Sequence, residues 1–541
     1  MKKWGALTTL SLAMFIIVID TTIMNVSISV LVVDLDTTVT GVQAAISIYA
    51  LVMAALMLIG SRLSDIIGTR RTFLIGLIIY SVGTTMASLA NSLTTMIIGW
   101  SVLEGVGAAL MIPTITVLLR KQYQGAELAF SYGIISAVGA IGAAVGPIAG
   151  GFFTTFVSWR WAFRTELVIA IIVLILTRTL MADQLAKDRP KFDYVGALFS
   201  IVGWTSIVLG ILLAQKYGSF LVKEPFYLGA VEISPFGLSI SPVLVGFGFL
   251  VILLLFRWER RLEQNNGDGL FKPSIFESKG LKAGIAVRFV QMAVTAGFLY
   301  IFPLLLQLTF NYTAMETGLA LMPFSLSLLI MAIVGARLSS RFYANRIIIV
   351  GFIIAVAGLS AIGASIQPEI GPQDLALGAL FGLGLGLIAS QLLNLVFSSV
   401  SPENTAEAAG LNSTFEQLGN AISVALVGSI MLVALTAGIQ NGVTNSDVIP
   451  AEIKTPFIAA VEQGVQLMSN TQLQEELEAT RASEAISNEI LDIYSVSRTV
   501  AFKAGVGLLT YFALMALIIA MWLPKRKLVE SEPEPPSTTT A

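Results

Sequence analysis

The chain has 541 residues, of which 55% are hydrophobic and 12% are charged, whereas a soluble domain carries about 25% charged residues. This composition predicts an integral membrane protein with little soluble mass. The net charge of −2 gives no basic surface for nucleic acid. The sequence contains neither cysteine nor histidine, which excludes disulfides and cysteine-based metal sites and leaves proton chemistry to Asp, Glu, Lys, Arg or Tyr.

Apolar segments long enough to cross a membrane follow one another along most of the chain. One crossing needs about 20 apolar residues, and the first segment is too long in its apolar part for a cleaved signal peptide. On this rule we predict about fourteen spans. They lie near 7–33, 42–60, 72–91, 94–119, 128–153, 161–182, 194–214, 242–258, 283–308, 316–336, 347–366, 373–398, 408–436 and 499–523.

The positions of Lys and Arg predict the orientation of the chain. Under this count most of them fall on one side of the membrane, in short loops such as 60–71 and near both ends. Cytoplasmic loops carry an excess of Lys and Arg. We therefore expect a multi-pass protein of the cell membrane, the prokaryotic cytoplasmic membrane, with both termini in the cytoplasm.

The order of the spans predicts two bundles separated by an insertion, with a disordered tail rich in Pro and Thr. The C-terminal bundle holds a large acidic external loop in which Ile453, Phe457 and Val461 recur at helical spacing, so part of that loop is predicted to be an amphipathic helix. The regions are 1–185, the N-terminal six-helix bundle; 186–265, two linker transmembrane helices with an external loop; 266–527, the C-terminal six-helix bundle with external loop 437–497; and 528–541, the cytoplasmic tail.

The segment Gly60–Arg71, GSRLSDIIGTRR, connects two predicted spans, and Gly335–Arg346, GARLSSRFYANR, repeats it with Ser340 in the place of Asp65. Two copies in two halves indicate a transporter built by internal duplication. We expect Asp65 and the arginines to form a charge network that latches one conformation and breaks during switching; a purely topological role is the alternative. The motif residues are Gly60, Arg62, Asp65, Gly68, Arg70 and Arg71.

The segment Gly139–Gly151 reads GAIGAAVGPIAGG, and three of its glycines are four residues apart, on one helix face. Small residues let a neighbouring helix approach closely, and the proline allows a bend. We expect this segment to take part in conformational switching; simple tight helix packing is the alternative. The residues are Gly142, Gly146, Pro147, Gly150 and Gly151.

Four motifs, in order, resemble those of one family. GSRLSDIIGTRR resembles the cytoplasmic loop motif of the major facilitator superfamily, and GAIGAAVGPIAGG resembles the fifth-helix motif of its antiporters. IDTTIMNV, Ile19–Val26, and WRWAF, Trp159–Phe163, resemble the first-helix motif and the start of the sixth helix of its fourteen-helix drug:proton antiporters. The resemblance implies an all-α membrane protein, with two six-helix bundles plus two extra helices, that acts in multidrug efflux.

Three departures from the family's pattern leave the coupling residues and the substrate open. In the fourth helix, Ser101 and Glu104 stand where the family has Arg and Gln. In the sixth helix, Glu166 takes the place of Asn. Ile28 and Ser29 replace the Leu-Pro that ends the first-helix motif.

Asp20 lies in the middle of the first predicted span. A charge at that depth costs about 2.5–3.5 kcal/mol on insertion scales, and a carboxyl group kept from water holds its proton more tightly than one in water. In the related antiporters this position is implicated in proton coupling, and the resemblance implies the same here. Static hydrogen bonds to Thr21, Thr22 or Asn25 are the alternative.

Glu104 lies near mid-membrane in the fourth span, and Glu416 lies in the cytoplasmic third of the thirteenth. If Glu104 faces Asp20, the two carboxyl groups compete for one proton; alternatively, Glu104 pairs with a cation on the substrate. Glu416 either takes part in proton coupling or extends to the membrane surface. The predicted proton-coupling residues are therefore Asp20, Glu104 and Glu416.

Other polar residues complete a predicted substrate cavity. Arg164 is predicted to act at the outer gate through an ion pair with Glu166, or else to lie at the membrane interface. Arg288, in the ninth span, is a further candidate partner. The predicted cavity residues are Asp20, Asn25, Glu104, Glu166, Gln291 and Glu416.

These observations predict a proton-coupled antiporter that exports lipophilic or amphiphilic compounds, cationic ones included, by alternating access. The proton gradient supplies the energy, and we expect no cofactor or metal. The expected partners are a lipophilic small molecule, protons and membrane lipids, without nucleic acid, and the protein is expected to be a monomer. Alternatives are a lipid or lipid-linked molecule exporter, a proton-coupled solute symporter and a non-transporting scaffold. No nucleophile–base set in the sequence favours an enzyme.

Overall fold

The computed structural model describes residues 4–180, 190–218, 220–228, 231–234, 237–339, 341–367, 376–401, 405–480 and 483–525. Within these ranges the chain is helical apart from its connections and one pair of two-residue strands. The predicted tail 528–541 and Ser340 lie outside the described residues.

The N-terminal part consists of long helices, one of which contains a wider π-helical segment. This π-helix, Ile97–Glu104, continues directly from a short helix into a longer one. The helices are α1 (Gly5–Val26), α2 (Ile28–Asp34), α3 (Val39–Ile67), α4 (Thr69–Ser88), α5 (Leu93–Met96), α6 (Gly105–Gln122), α7 (Gly125–Phe156) and α8 (Arg160–Leu176).

Two linker helices, α9 (Tyr194–Tyr217) and α10 (Ile240–Gln264), pack against each other. The connection between them contains strands β1 (Tyr227–Leu228) and β2 (Val231–Glu232), which pair antiparallel. No strand was predicted in this connection, and two residue pairs are too few to leave a periodic sequence signal.

The C-terminal part repeats the helical architecture and adds two short helices beyond the last pair of spans. The helices are α11 (Lys279–Phe310), α12 (Ala314–Ala320), α13 (Met322–Leu338), α14 (Ala344–Ser365), α15 (Leu377–Phe397), α16 (Thr405–Asn445), α17 (Ala451–Gln463), α18 (Asn470–Thr480) and α19 (Glu484–Ala520).

Twelve helical segments in the described part of the chain are long and apolar enough to cross a membrane. The predicted spans near 72–91 and 161–182 are also helices, α4 and α8. However, α4 begins with two arginines in its first turn, and α8 has 17 residues. The protein is thus a multi-pass membrane protein, while fourteen crossings stay a prediction.

Several helices extend beyond the predicted spans. The segment Gly60–Arg71, predicted as a loop, consists of the end of α3 and the start of α4, which meet at Gly68. Gly68 has a φ angle of +106°, a conformation that favours glycine. The loop prediction was wrong because a helix satisfies its own backbone hydrogen bonds and so need not end where the apolar residues end.

The segment predicted as external loop 437–497 is largely helical. The ends of α16 and α19 extend into it, and α17 is the helix predicted from the spacing of Ile453, Phe457 and Val461. Val461 is buried, whereas Ile453 is exposed. The Tyr494 hydroxyl accepts a hydrogen bond from the Met468 N–H at 2.8 Å, so the connection between α17 and α18 is held against α19.

The glycines of the predicted stripe in α7 face α1. A Cβ atom at Gly142 would lie 3.2 Å from the Val18 side chain, one at Gly146 would overlap the Thr22 side chain, and one at Gly150 would lie 2.8 Å from the Ile23 carbonyl oxygen. The stripe therefore permits close packing of α7 on α1. Pro147 lies inside α7, which continues to Phe156.

We predict that Gly150→Ala destabilises the protein, because the added Cβ would meet backbone atoms of Ile23 at 2.8 and 3.0 Å. Overpacking of this kind costs about 1–3 kcal/mol. The measurement is the melting temperature of the purified protein in detergent. The matched control is Gly139→Ala on the same helix, whose Cβ would meet only the Met14 Cε at 3.9 Å; equal melting temperatures for the two variants would contradict the close packing.

Candidate functional site

Three acidic side chains from different helices meet in the N-terminal half. Asp20 lies on α1, Glu104 ends the π-helix and Glu166 lies on α8. One carboxylate oxygen of each lies within 4.8 Å of the other two, and the residues are 1%, 0% and 2% exposed. We call these three residues the acid triad. None of them forms an ion pair with a residue that the structure describes.

The acid triad is unstable as three negative charges. Two charges separated by 4.8 Å, the limit for these oxygens, repel each other by about 3.5 kcal/mol at an effective dielectric constant of about 20. Removing each carboxylate from water adds a further penalty. Such a group is stabilised by positive charge, which either protons or a small cation could supply.

Two aromatic side chains donate hydrogen bonds to the acid triad. The Trp100 indole N–H donates to both Asp20 oxygens, at 2.9 and 3.1 Å, and the Trp100 ring stacks on Tyr49 with 5.3 Å between centroids. The Tyr80 hydroxyl donates to Glu166 Oε2 at 3.3 Å. These donors partly replace water around Asp20 and Glu166.

Glu104 has no such support. Neither of its carboxylate oxygens has a hydrogen-bond partner among the described residues, and the same holds for the buried hydroxyl groups of Thr84 and Tyr49. Thr84 faces Glu104, and Tyr49 faces Asp20. Buried polar atoms without a partner are uncommon and costly. A charge on Glu104 would therefore be less well supported than a charge on either of the other two acids.

The π-helix brings Glu104 to this position. Its widened turns occur frequently at functional sites because they change which side chains share a face. Close approach of α4 supports it: a Cβ at Gly83 would lie 2.7 Å from the Glu104 backbone nitrogen. A sequence pattern with a period of 3.6 residues does not predict such a segment.

The structure places the other predicted cavity residues in different surroundings. Glu416 accepts from Arg288 Nη2 at 2.7 Å in a half-buried ion pair, and Gln291 accepts from Arg288 Nη1 at 3.1 Å. These residues lie on α11 and α16, in the C-terminal half, and not in the acid triad. Asn25 donates to the Thr21 carbonyl within α1 at 2.8 Å. Arg288, only a candidate partner in the sequence, therefore neutralises Glu416.

The predicted gating residues also have specific contacts. Arg62 lies 3.8 Å from Asp65 and donates to Asp268 at 3.1 Å, while the Asp65 side chain is 54% exposed. Gly60 packs against the Ala109 carbonyl oxygen. Arg70 and Arg71 lie in the first turn of α4. This network connects the N-terminal bundle to the segment after α10.

Arg164 and Glu166 do not form the ion pair that was predicted as one alternative. The Arg164 guanidinium lies 5.1 Å from the centre of the Trp161 ring, whereas Glu166 lies in the acid triad. Residues two apart on a helix point to different faces, which explains the separation. The i,i+2 spacing was the signal in the sequence that argued against this pair.

Arg160 joins three helices of the N-terminal half, a role that its position in the sequence does not predict. Its guanidinium donates to Asp34 at 2.9 Å and to the Ala90 carbonyl at 2.8 Å. The Trp159 indole donates to the same Asp34 carboxylate at 2.9 Å. The WRWAF motif therefore ties the start of α8 to the ends of α2 and α4. The motif itself was noticed in the sequence, but its partners are distant in the chain.

Polar contacts join the two halves along the part of the helices predicted to be external. Gln43 Nε2 donates to the Val424 carbonyl at 2.9 Å, and Gln43 Oε1 accepts from the Tyr300 hydroxyl at 3.1 Å and from Gln215 at 3.3 Å. We call these contacts the Gln43 node. Gln307 adds a hydrogen bond to the Val26 carbonyl at 2.8 Å.

A small apolar cavity lies between the halves. Its volume is about 30 Å³, enough for a water molecule, whereas ligand pockets usually hold about 300–1,000 Å³. Phe298, Phe302, Phe324 and Phe381 form an aromatic cluster beside it, with neighbouring ring centres 4.7–5.6 Å apart. Admission of a drug-sized molecule to this region therefore requires the halves to separate.

Residues 10–424 match the Major Facilitator Superfamily. This range is more than half of the chain, so the chain belongs to that superfamily. The all-helical fold and the superfamily resemblance of the motifs are thereby confirmed, and the protein is a membrane transporter rather than an enzyme. The narrower assignment to the fourteen-helix drug:proton antiporters stays a prediction.

Two relatives carry names that refer to antibiotics. The chain is 27% identical to the puromycin resistance protein pur8 of Streptomyces alboniger, over 81% of this chain and 83% of the relative. It is 28% identical to the cephamycin export protein CmcT of Amycolatopsis lactamdurans, over 78% of this chain and 84% of the relative. The human organic anion transporter MFSD10 has a similar fold, with a TM-score of 0.55 at 11% identity over 96% of this chain and 99% of that one.

We predict that Gln43→Ala weakens the contact between the halves, because it removes the hydrogen bonds of the Gln43 node. Each hydrogen bond is worth about 1 kcal/mol. Loss of the two bonds to the C-terminal half, with Val424 and Tyr300, therefore changes the ratio of open to closed forms by roughly tenfold or more. Spin labels at Thr94→Cys and Asn441→Cys, both exposed, would report the distance between the halves in a chain with no native cysteine.

The expected result is a larger fraction of long distances in Gln43→Ala than in the labelled parent. Tyr300→Phe should give a smaller change in the same direction, because it removes one donor. Gln124→Ala, an exposed position at the opposite end of the N-terminal bundle, is the control. Identical distance distributions in Gln43→Ala and Gln124→Ala would remove the Gln43 node from the contact.

Proposed function

We propose that this transporter exports lipophilic or amphiphilic small molecules in exchange for protons and that the acid triad carries the protons. The observation that supports this most directly is the burial of three carboxyl groups with no cationic partner among the described residues. Ionisable groups within transmembrane segments are costly and mark ion and proton pathways. With no histidine in the chain, acids are the groups able to bind protons near neutral pH.

The coupling follows from the charge of the acid triad. When it is open to the external side, the triad takes up protons and loses most of its negative charge, which permits it to be sealed from water. When it is open to the cytoplasm, it releases them and regains the charge, which favours binding of a cationic or polar group of the substrate. Each charge that moves through 100 mV supplies about 2.3 kcal/mol, and each pH unit adds about 1.4 kcal/mol per proton.

The proposed substrate class rests on two observations. The relatives include proteins named for puromycin resistance and cephamycin export, and the region between the halves is apolar and bordered by the aromatic cluster. Apolar and aromatic walls with few polar groups suit amphiphilic compounds of varied shape. We therefore propose antibiotic-like molecules of mixed polar and apolar character as substrates.

The proposed switch between conformations uses contacts at both ends of the bundles. At the predicted external end these are the Gln43 node and the packing of Gly151 against the backbone of Ala314 and Met315. At the predicted cytoplasmic end they are the contacts of Arg62 with Asp65 and Asp268. Packed interfaces of this kind exist in discrete arrangements rather than deforming continuously, which suits alternating access.

We predict that Asp20→Asn weakens transport driven by a proton gradient, because it removes one of the three acids among which the exchanged protons are shared. The test uses proteoliposomes with an imposed pH gradient and a panel of lipophilic cations, such as ethidium, together with fluorescent lipids. Accumulation against a gradient should fall at least tenfold, while downhill movement of the dye should persist. Glu475→Gln, an exposed acid on α18, is the matched control and should transport like the parent.

Other outcomes would select other functions. Full gradient-driven transport by Asp20→Asn would contradict the assigned role of the acid triad. Lipid transfer without dye efflux would identify a lipid exporter, and substrate uptake that rises with an inward proton gradient would identify a symporter. Both alternatives use the same fold, so the direction and the substrate of transport decide between them.

A further inference from the structure

We infer that the acid triad exchanges two protons in each transport cycle, so that the closed state carries one negative charge and the water-exposed state carries three. The inference rests on the proposed function and extends it to the proton stoichiometry. In this scheme Glu104 holds one of the two exchanged protons, a specific role that the proposed function does not require.

The groups that face the acid triad leave little positive charge to balance it. The titratable groups at this site come from five elements. They are the three acids themselves, Asp20 on α1, Glu104 on the π-helix and Glu166 on α8, together with Tyr49 on α3 and Tyr80 on α4. No Lys or Arg belongs to this set in the part of the chain that the structure describes. Neutral tyrosines contribute donors but no charge, so the number of protons decides the net charge.

The hydrogen-bond donors show how many negative charges the closed site supports. The Trp100 N–H contacts both oxygens of Asp20, which makes Asp20 the best-supported carboxylate. Glu166 receives one longer bond, from Tyr80 at 3.3 Å. Glu104 receives none, although the buried Thr84 hydroxyl that faces it also lacks a partner. A protonated Glu104 would supply an O–H donor, and the oxygen of the Thr84 hydroxyl could accept that hydrogen bond.

Repulsion between the three acids also limits the closed site to one negative charge. Once Asp20 is charged, a second charge within 4.8 Å is opposed by repulsion and by the loss of water, and no cation compensates for it. Glu104 and Glu166 therefore each hold a proton in the closed state. Carboxyl groups in contact with water are ionised at neutral pH, so both protons leave when the site opens to the cytoplasm.

The stoichiometry has a thermodynamic consequence that does not depend on turnover. With the membrane potential clamped at zero, each exchanged proton lets one pH unit sustain a roughly tenfold substrate gradient. Two protons sustain a roughly hundredfold gradient. Replacement of Glu104 by an amide removes one exchangeable proton and should reduce the hundredfold gradient to tenfold.

The first test counts protonated carboxyl groups without any substrate. Infrared spectra of the reconstituted protein at neutral pH contain a C=O band from protonated carboxyl groups, and variant-minus-parent differences isolate the acid triad. Glu104→Gln and Glu166→Gln should each reduce the amplitude of this C=O band by the same amount, and the double variant should reduce it by twice that amount. Asp20→Asn should also reduce it by one such amount, because the lone remaining charge then moves to a glutamate. Glu475→Gln, the exposed control, should change nothing.

The second test measures the ethidium gradient at static head in proteoliposomes, with potassium and valinomycin holding the potential at zero. The logarithm of that gradient should rise by about two decades per pH unit in the parent and by about one in Glu104→Gln. Glutamine and asparagine are the residues that the resembled family carries at positions 104 and 166, so amide variants are suited to the fold.

Several results would overturn the two-proton inference. A parent slope of one would show that a single proton is exchanged, and an unchanged infrared band in Glu104→Gln would show that Glu104 holds no proton in the closed state. Transport that requires Na⁺ and is insensitive to pH would assign the site to a cation instead. If Asp20→Asn loses gradient-driven transport while the parent slope is one, proton coupling stands and only the stoichiometry fails.

Discussion

The exclusion of water from three carboxyl groups is the constraint on which the rest of the structure depends. Asp20, Glu104 and Glu166 come from three separate helical elements and meet within 4.8 Å in a region that must also be stable inside a membrane. Carboxylates in such surroundings need donors or protons. The surrounding features meet this need unequally: Trp100 donates two contacts to one acid, Tyr80 donates one to another, and the π-helix brings the third acid into the group without a donor.

The same helices connect this chemistry to movement of the halves. The glycine stripe on α7 packs against α1, which carries Asp20, while Gly151 and Pro147 at its far end pack against α12 of the C-terminal half. A shift of α1 relative to α7 can therefore change the contact between the halves, because α7 packs against both α1 and α12. Small residues at both contacts keep the backbones close, so the packing changes between discrete arrangements rather than gradually.

The charged groups are distributed differently in the two halves. The N-terminal half holds acids without cations, whereas the C-terminal half holds Glu416 already neutralised by Arg288. Between them lie a cavity of about 30 Å³ and the aromatic cluster. A substrate that entered this cavity would meet mainly apolar and aromatic side chains. This asymmetry agrees with the proposed function, in which the N-terminal half binds protons and both halves contact the substrate.

The sequence by itself determined the membrane class and the helices, and it named all three acids of the triad as cavity residues, because apolar length and charges within apolar segments are properties of single segments. Only the tertiary structure decided that Glu166 joins Asp20 and Glu104, that Glu416 is paired with Arg288, and that Trp100 is a donor and not only an aromatic residue. It also replaced the loop at Gly60–Arg71 with two helix ends. The reason is physical: hydrophobic periodicity records which residues avoid water, whereas the direction in which a helix faces its neighbours depends on packing between distant segments and on local irregularities such as the π-helix.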